Sequence, residues 1–121
     1  MYEISVIKTF SAAHALREYK GKCENLHGHN WKVKVAVSGN QLGQAGMLLD
    51  FTELKSLLDE ALSALDHKNL NEVNPFDKTN PTAENIAAFI YAHLKAKAPA
   101  GTVLSYVEVW ESDTSSAKYS E

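Results

Sequence analysis

From Trp31 to Ser38 the chain alternates with a period of two. Trp31, Val33, Val35 and Val37 fall on one side, and Lys32, Lys34, Ala36 and Ser38 on the other. This is the pattern of a strand with one face against a core. Val103, Ser105, Val107 and Val109 alternate in the same way with Leu104, Tyr106, Glu108 and Trp110. Tyr2 to Phe10 reads as a further strand, in which Val6-Ile7 breaks the alternation and marks an expected bulge. Ala117 to Ser120 adds a short last strand. Between the second and third strands lie two helical patterns. Asp50 and Glu53 have capping-box spacing and precede an apolar stripe of Leu54, Leu57, Leu58, Ala61 and Leu65. Thr82 is an N-cap for a second helix that carries Ile86, Phe89, Ile90 and Leu94. The order strand, strand, helix, helix, strand, strand specifies α+β, with an antiparallel sheet and both helices on one face. The other face also carries apolar side chains, and another subunit is the simplest cover for it.

The length of 121 residues suits one domain, spanning 1–121. Lys plus Arg is 12 and Asp plus Glu is 15, so the net charge is 12 − 15 = −3. That balance argues against general nucleic-acid binding, which draws on a basic surface. No apolar run reaches a membrane span, and Met1-Tyr2-Glu3-Ile4-Ser5 lacks the features of a signal peptide. A lone cysteine, Cys23, forms no internal disulfide, and the expected setting is reducing and cytoplasmic.

The chemistry-bearing residues gather around the first two strands. His27-Gly28-His29 leads into the second strand, where alternation puts both imidazoles on the apolar face of Trp31 and Val33. His14 follows the first strand and can supply a third nitrogen. Three protein ligands with one position left over is the common arrangement of a zinc site that does chemistry. His-x-His alone is weak, and Cys23 could instead close a structural site as a fourth ligand; spacing leaves both open. Cys23 lies in the polar stretch Lys20-Gly21-Lys22-Cys23-Glu24-Asn25, where a thiolate is favoured and an ordinary surface thiol is equally compatible. Asp66-His67 falls near the end of the first helix, where a histidine often serves only as a dipole partner. Glu111 has the parity of Val107 and Val109, so its carboxylate needs a partner or a ligand, whereas Glu108 faces the other way. His93 continues the stripe of the second helix and reads as a packing or boundary residue.

Six segments together resemble the 6-pyruvoyl-tetrahydropterin and 6-carboxy-tetrahydropterin synthase family, in order along nearly the whole chain. They are Phe10-Ser11-Ala12-Ala13-His14, Cys23-Glu24-Asn25-Leu26-His27-Gly28-His29, Met47-Leu48-Leu49-Asp50-Phe51, Leu65-Asp66-His67-Lys68-Asn69-Leu70-Asn71, Asn80-Pro81-Thr82-Ala83-Glu84-Asn85 and Val109-Trp110-Glu111-Ser112. The resemblance implies a tunnelling fold, a four-stranded antiparallel sheet with two helices that closes into a barrel by trimerisation, with two trimers stacked as a hexamer. It implies Zn²⁺ on His14, His27 and His29, Cys23 as a proton-transfer thiol, and Asp66 and His67 as a relay. It further implies Glu111 as the pterin anchor with a part in that relay, and active sites between subunits.

The spacing of Cys23 from His27-Gly28-His29 resembles the bacterial 6-carboxy-tetrahydropterin synthases of 7-deazapurine and queuosine biosynthesis, lyases acting on 7,8-dihydroneopterin triphosphate. The alternatives are 6-pyruvoyl-tetrahydropterin synthesis without side-chain cleavage, and a non-catalytic zinc-binding oligomer.

Overall fold

A computed structural model describes residues 1–18 and 25–121; Cys23 lies outside the described residues. The chain runs β1 (Tyr2–His14), β2 (His27–Gly39), α1 (Phe51–Leu62), β3 (Lys68–Asn69), a 3-10 turn (Leu70–Glu72), α2 (Ala83–Lys95), β4 (Val103–Ser112) and β5 (Ser115–Tyr119). The sheet order is β3-β1-β2-β4-β5. β1 and β2 pair antiparallel in unbroken register from Tyr2↔Gly39 to His14↔His27.

Two expectations are corrected here. The sheet is mixed rather than purely antiparallel, because β3 runs parallel to β1 at Ala12 and Ala13. With β3 the sheet has five strands, and among the described residues it is open, ending at β3 and β5. Finally, Val6-Ile7 forms no bulge against β2. Val6 is buried and Ile7 half exposed within continuous pairing. The irregularity lies instead between β2 and β4, where Ala36 pairs with Tyr106 and Val37 with Leu104, leaving Ser105 over. An extra residue reverses side-chain parity. Leu104 is therefore buried, while Val103 is 68% exposed.

Both helices cover the inner face. Phe10, Trp31, Val33, Leu58, Ile90 and Val107 belong to one core that joins the sheet to α1 and α2. Full burial of each such side chain contributes roughly 1.5–3 kcal/mol. Asp50 caps α1 by accepting from the Thr52 N–H at 2.8 Å, and Thr82 caps α2 by accepting from the Asn85 N–H at 3.1 Å. Each cap is worth about 1 kcal/mol.

The outer face is more polar than its alternation suggests. Lys32 lies 4.3 Å over the Trp110 ring and Lys118 4.1 Å over that of Tyr106, so the chain covers much of its own outward aromatic surface. Among the described residues, the backbone edge of β1 outside its short pairing with β3, and that of β5, are open, and these edges are the stronger invitation to a partner. Among the described residues, no helix is long and apolar enough to cross a membrane.

Candidate metal centre and its surroundings

His14 closes β1 and pairs directly with His27, while Ala12 pairs with His29. The three imidazoles therefore occupy the inner face at one end of the β1–β2 ladder. One ligand atom from each lies within 4.8 Å of the others. The rings meet edge to face, with centroids 4.6 Å apart for His14–His27, 5.1 Å for His14–His29 and 4.8 Å for His27–His29. Trp31 supports them from below, its ring 4.9 Å from that of His14 and 5.2 Å from that of His29. Trp31 is held in turn by its indole N–H, which donates to the Ala12 carbonyl at 3.2 Å.

Hydrogen bonds set the tautomers of two rings. His14 Nδ1 lies 2.8 Å from the Pro81 carbonyl, and His27 Nδ1 lies 2.8 Å from the Asn25 carbonyl. A carbonyl only accepts, so each Nδ1 carries the proton and each neutral ring keeps the lone pair on Nε2. His14 Nε2 is buried and has no hydrogen-bond partner. A buried polar atom without a partner is costly. A cation among the three rings removes that cost, and neutral imidazole nitrogens suit zinc. The donor set thus fits a metal ion.

Glu111 approaches the same cluster from β4. It is the extra residue of a second bulge, since Trp110 pairs with Ser116 and Ser112 with Ser115. Its carboxylate turns inward, as the alternation with Val107 and Val109 requires, and the bulge leaves it without a partner residue on β5. Its oxygens lie 3.7 Å from His29 Nε2 and 3.8 Å from His14 Nε2, within ion-pair reach but beyond hydrogen-bonding distance. The side chain remains 40% exposed and borders a cavity of about 360 Å³, with Leu16, Thr82, Glu84, Ser115 and Ser116 around it. Sequence reasoning read Thr82 only as a helix cap and missed Glu84, Ser115 and Ser116 as lining residues. Their polar side chains beside a helix start and a tight turn were the available signal.

Asp66 and His67 form a contact that adjacency in sequence could not establish. His67 Nδ1 is 3.0 Å from Asp66 Oδ1, and the same oxygen accepts from the Ser11 N–H at 3.0 Å. That backbone donor, with the histidine beside it, lowers the Asp66 pKa and holds the carboxylate ionised. The pair directly follows the closing turn of α1, where the Asp66 N–H donates to the Leu62 carbonyl at 2.9 Å, and the His67 ring turns to Asp66. His67 adopts φ 59°, a left-handed conformation uncommon for a residue with a side chain, and its N–H donates to the Ser11 carbonyl at 2.6 Å. Its side chain is 81% exposed and lines an outer cavity of about 500 Å³ with Ser11, Ala13, Gly28 and Asn30. Of the cluster, only His29 borders that cavity. His93 is exposed, its Nδ1 3.3 Å from the Phe89 carbonyl, as a boundary residue should be.

Comparison with known proteins agrees with this architecture. A family model described as 6-pyruvoyl tetrahydropterin synthase matches residues 3–121. The 6-carboxy-5,6,7,8-tetrahydropterin synthase of Synechocystis sp. is 40% identical over 116 residues, covering 92% of this chain and 87% of its own. The human 6-pyruvoyl tetrahydrobiopterin synthase is 41% identical over 103 residues, covering 82% of this chain and 70% of its own. The solved Caenorhabditis elegans 6-pyruvoyl tetrahydropterin synthase superposes with a TM-score of 0.86 at 31% identity, covering 99% of this chain and 95% of its own. The chain therefore belongs to the 6-pyruvoyl tetrahydropterin synthase family.

Proposed function

We propose that this chain is a zinc-dependent, cytoplasmic 6-carboxytetrahydropterin synthase, a lyase that takes 7,8-dihydroneopterin triphosphate and one water to 6-carboxy-5,6,7,8-tetrahydropterin, acetaldehyde and triphosphate on a route to 7-deazapurines such as queuosine. The observation that carries this reading is the convergence of three imidazoles, one inward-turned carboxylate and a polar cavity at one end of the sheet.

His14, His27 and His29 hold the ion. When bound, zinc supplies Lewis-acid polarisation of a substrate oxygen. Glu111 accepts hydrogen bonds from the amino and ring N–H edge of the pterin and so fixes the side chain toward the histidines. Cys23 moves the proton at the adjacent carbon, and His67, oriented by Asp66, completes the relay. No nicotinamide or flavin is required, because the redox change is internal to the substrate.

The exposed position of His67 and the open edges of β1 and β5 support an assembly in which neighbouring chains complete each site. In this proposal three chains close a barrel and two such trimers stack.

The 41% identity to a 6-pyruvoyl synthase keeps a second reading in view, elimination of triphosphate without side-chain cleavage. Mass analysis of the products formed from 7,8-dihydroneopterin triphosphate by zinc-loaded protein decides between them. The first reading requires the 6-carboxy product with an equal amount of acetaldehyde. A 6-pyruvoyl product with no acetaldehyde establishes the second, and neither product overturns both.

A further inference from the structure

The sheet ends at His14, yet the next residues remain tied down by side chains. Asn71 bonds both ways to the backbone of Ala15: the Ala15 N–H donates to Oδ1 at 2.9 Å, and Nδ2 donates to the Ala15 carbonyl at 2.8 Å. Two residues later Asn80 repeats the arrangement. The Arg17 N–H donates to Asn80 Oδ1 at 2.8 Å, and Asn80 Nδ2 donates to the Arg17 carbonyl at 3.0 Å. Each amide takes the place of a neighbouring strand, supplying one acceptor and one donor to backbone that lies beyond the β1–β2 ladder.

Asn80 is also fixed through its own main chain. Its carbonyl accepts from Asn85 Nδ2 at 2.8 Å and from the Thr82 N–H at 2.9 Å. The next residue is Pro81, whose φ is set by its ring, and it is the Pro81 carbonyl that meets His14 Nδ1. The Arg17 guanidinium adds bonds to the Phe76 carbonyl at 2.5 Å and the Thr79 carbonyl at 2.8 Å. The segment leaving the metal centre is thereby laced to the turn that holds the histidine's outer nitrogen.

We propose that Asn80 is a positioning residue for the metal centre: by joining residues 15–17 to the Asn80–Pro81 turn, it keeps the Pro81 carbonyl on His14 Nδ1 and so keeps His14 Nε2 turned toward the other two imidazoles. The role is exerted through His14, since Asn80 itself touches neither the cluster nor its cavity. Partners that orient a metal-ligating histidine by its second nitrogen typically change metal affinity about 10–100-fold when removed. The inference rests on the metal-site reading above, and its test has one arm that does not.

The experiment compares wild type with Asn80→Ala, Asn80→Asp and Thr79→Ala. Thr79→Ala removes a bond within the same turn, from its hydroxyl to the Pro75 carbonyl at 3.2 Å, without touching the tie to Arg17. Zinc affinity is measured by competition with a chelator. The protonated nitrogen of His14 is identified in metal-free, ¹⁵N-labelled protein by long-range imidazole correlations. Wild type and Thr79→Ala should show a proton on His14 Nδ1 and equal zinc affinity. Asn80→Ala should bind zinc about 10–100-fold more weakly and show His14 divided between its two tautomers. Asn80→Asp, which sets a carboxylate oxygen against the Arg17 carbonyl, should move both readouts the same way and decides the matter if the alanine variant does not fold.

Wild-type affinity together with an unchanged His14 tautomer in the Asn80 variants overturns the proposal. Failure of wild type itself to bind zinc removes the metal reading, while the imidazole arm still scores the positioning role.

Discussion

The three-histidine cluster and the Asp66–His67 pair are both built from imidazoles, but the chain supports them in different ways. The cluster stands on two strands in continuous register, rests on a fully buried Trp31, and has two of its rings oriented by backbone carbonyls. The pair stands in a turn, left-handed at His67, just before a two-residue strand at the sheet edge, with its imidazole almost wholly in solvent. Water and salt weaken an ion pair in that setting. On the proposed reading, one chain would supply the metal's protein ligands but leave the Asp66–His67 relay unshielded. In that proposal, proton transfer through His67 would need a second surface to cover it, whereas metal binding would not.

The largest expected effect tests that division. Asp66→Asn and His67→Ala should each reduce turnover by roughly 10²–10⁴-fold, the usual scale for losing a general acid–base group, with zinc content unchanged. Loss of zinc in either variant would merge the two regions into one site. Trp31→Ala works from the other side. Removing a buried tryptophan costs about 3–5 kcal/mol, and here the cavity opens directly beneath His14 and His29. Denaturant unfolding and chelator competition should fall together; reduced stability with wild-type zinc affinity would show that the cluster does not depend on its floor.

Glu111→Gln keeps the side-chain shape but exchanges an acceptor for a donor. Two hydrogen bonds from a pterin are worth about 1–3 kcal/mol each, so substrate binding should weaken by at least ~5-fold. Glu108→Gln, on the outward side of the same strand, should leave it unchanged. Equal affinity in the two variants, zinc content matched, would leave Glu111 a strand-end acid.

The smallest effect concerns pH. The folded-state pKa of Asp66 is depressed, chiefly by the Ser11 N–H. Its contribution is therefore present above the unfolded value, about 3.9, and is lost as pH falls through the lower folded value. Acid unfolding of Asp66→Asn should lack that component. An unchanged acid limb would mean that the Ser11 contact contributes nothing measurable.

Much of this arrangement was legible because alternation is a local property. Trp31, Val33 and Val35 point inward as their period requires, and the same parity carries His27 and His29 to the inner face. The caps Asp50 and Thr82 were readable from residue type and position. The features that escaped depend on contacts distant in sequence. Ser105 is left over only because of how β4 meets β2, and the bulge at Glu111 exists only against β5. Lys68 and Asn69 have no periodicity to betray a strand; they become one because His67 docks on Ser11. The same holds for the Pro81 carbonyl, 67 residues from the ring it orients.

The most direct test of the central claim, that His14, His27 and His29 alone bind the metal while the thiol serves chemistry, is zinc stoichiometry in wild type, Cys23→Ala and His27→Ala, with turnover measured on the same samples. The account predicts one zinc per chain in wild type and in Cys23→Ala, little or none in His27→Ala, and turnover only in wild type. Loss of zinc from Cys23→Ala to the level of His27→Ala, or full turnover by Cys23→Ala, would contradict it.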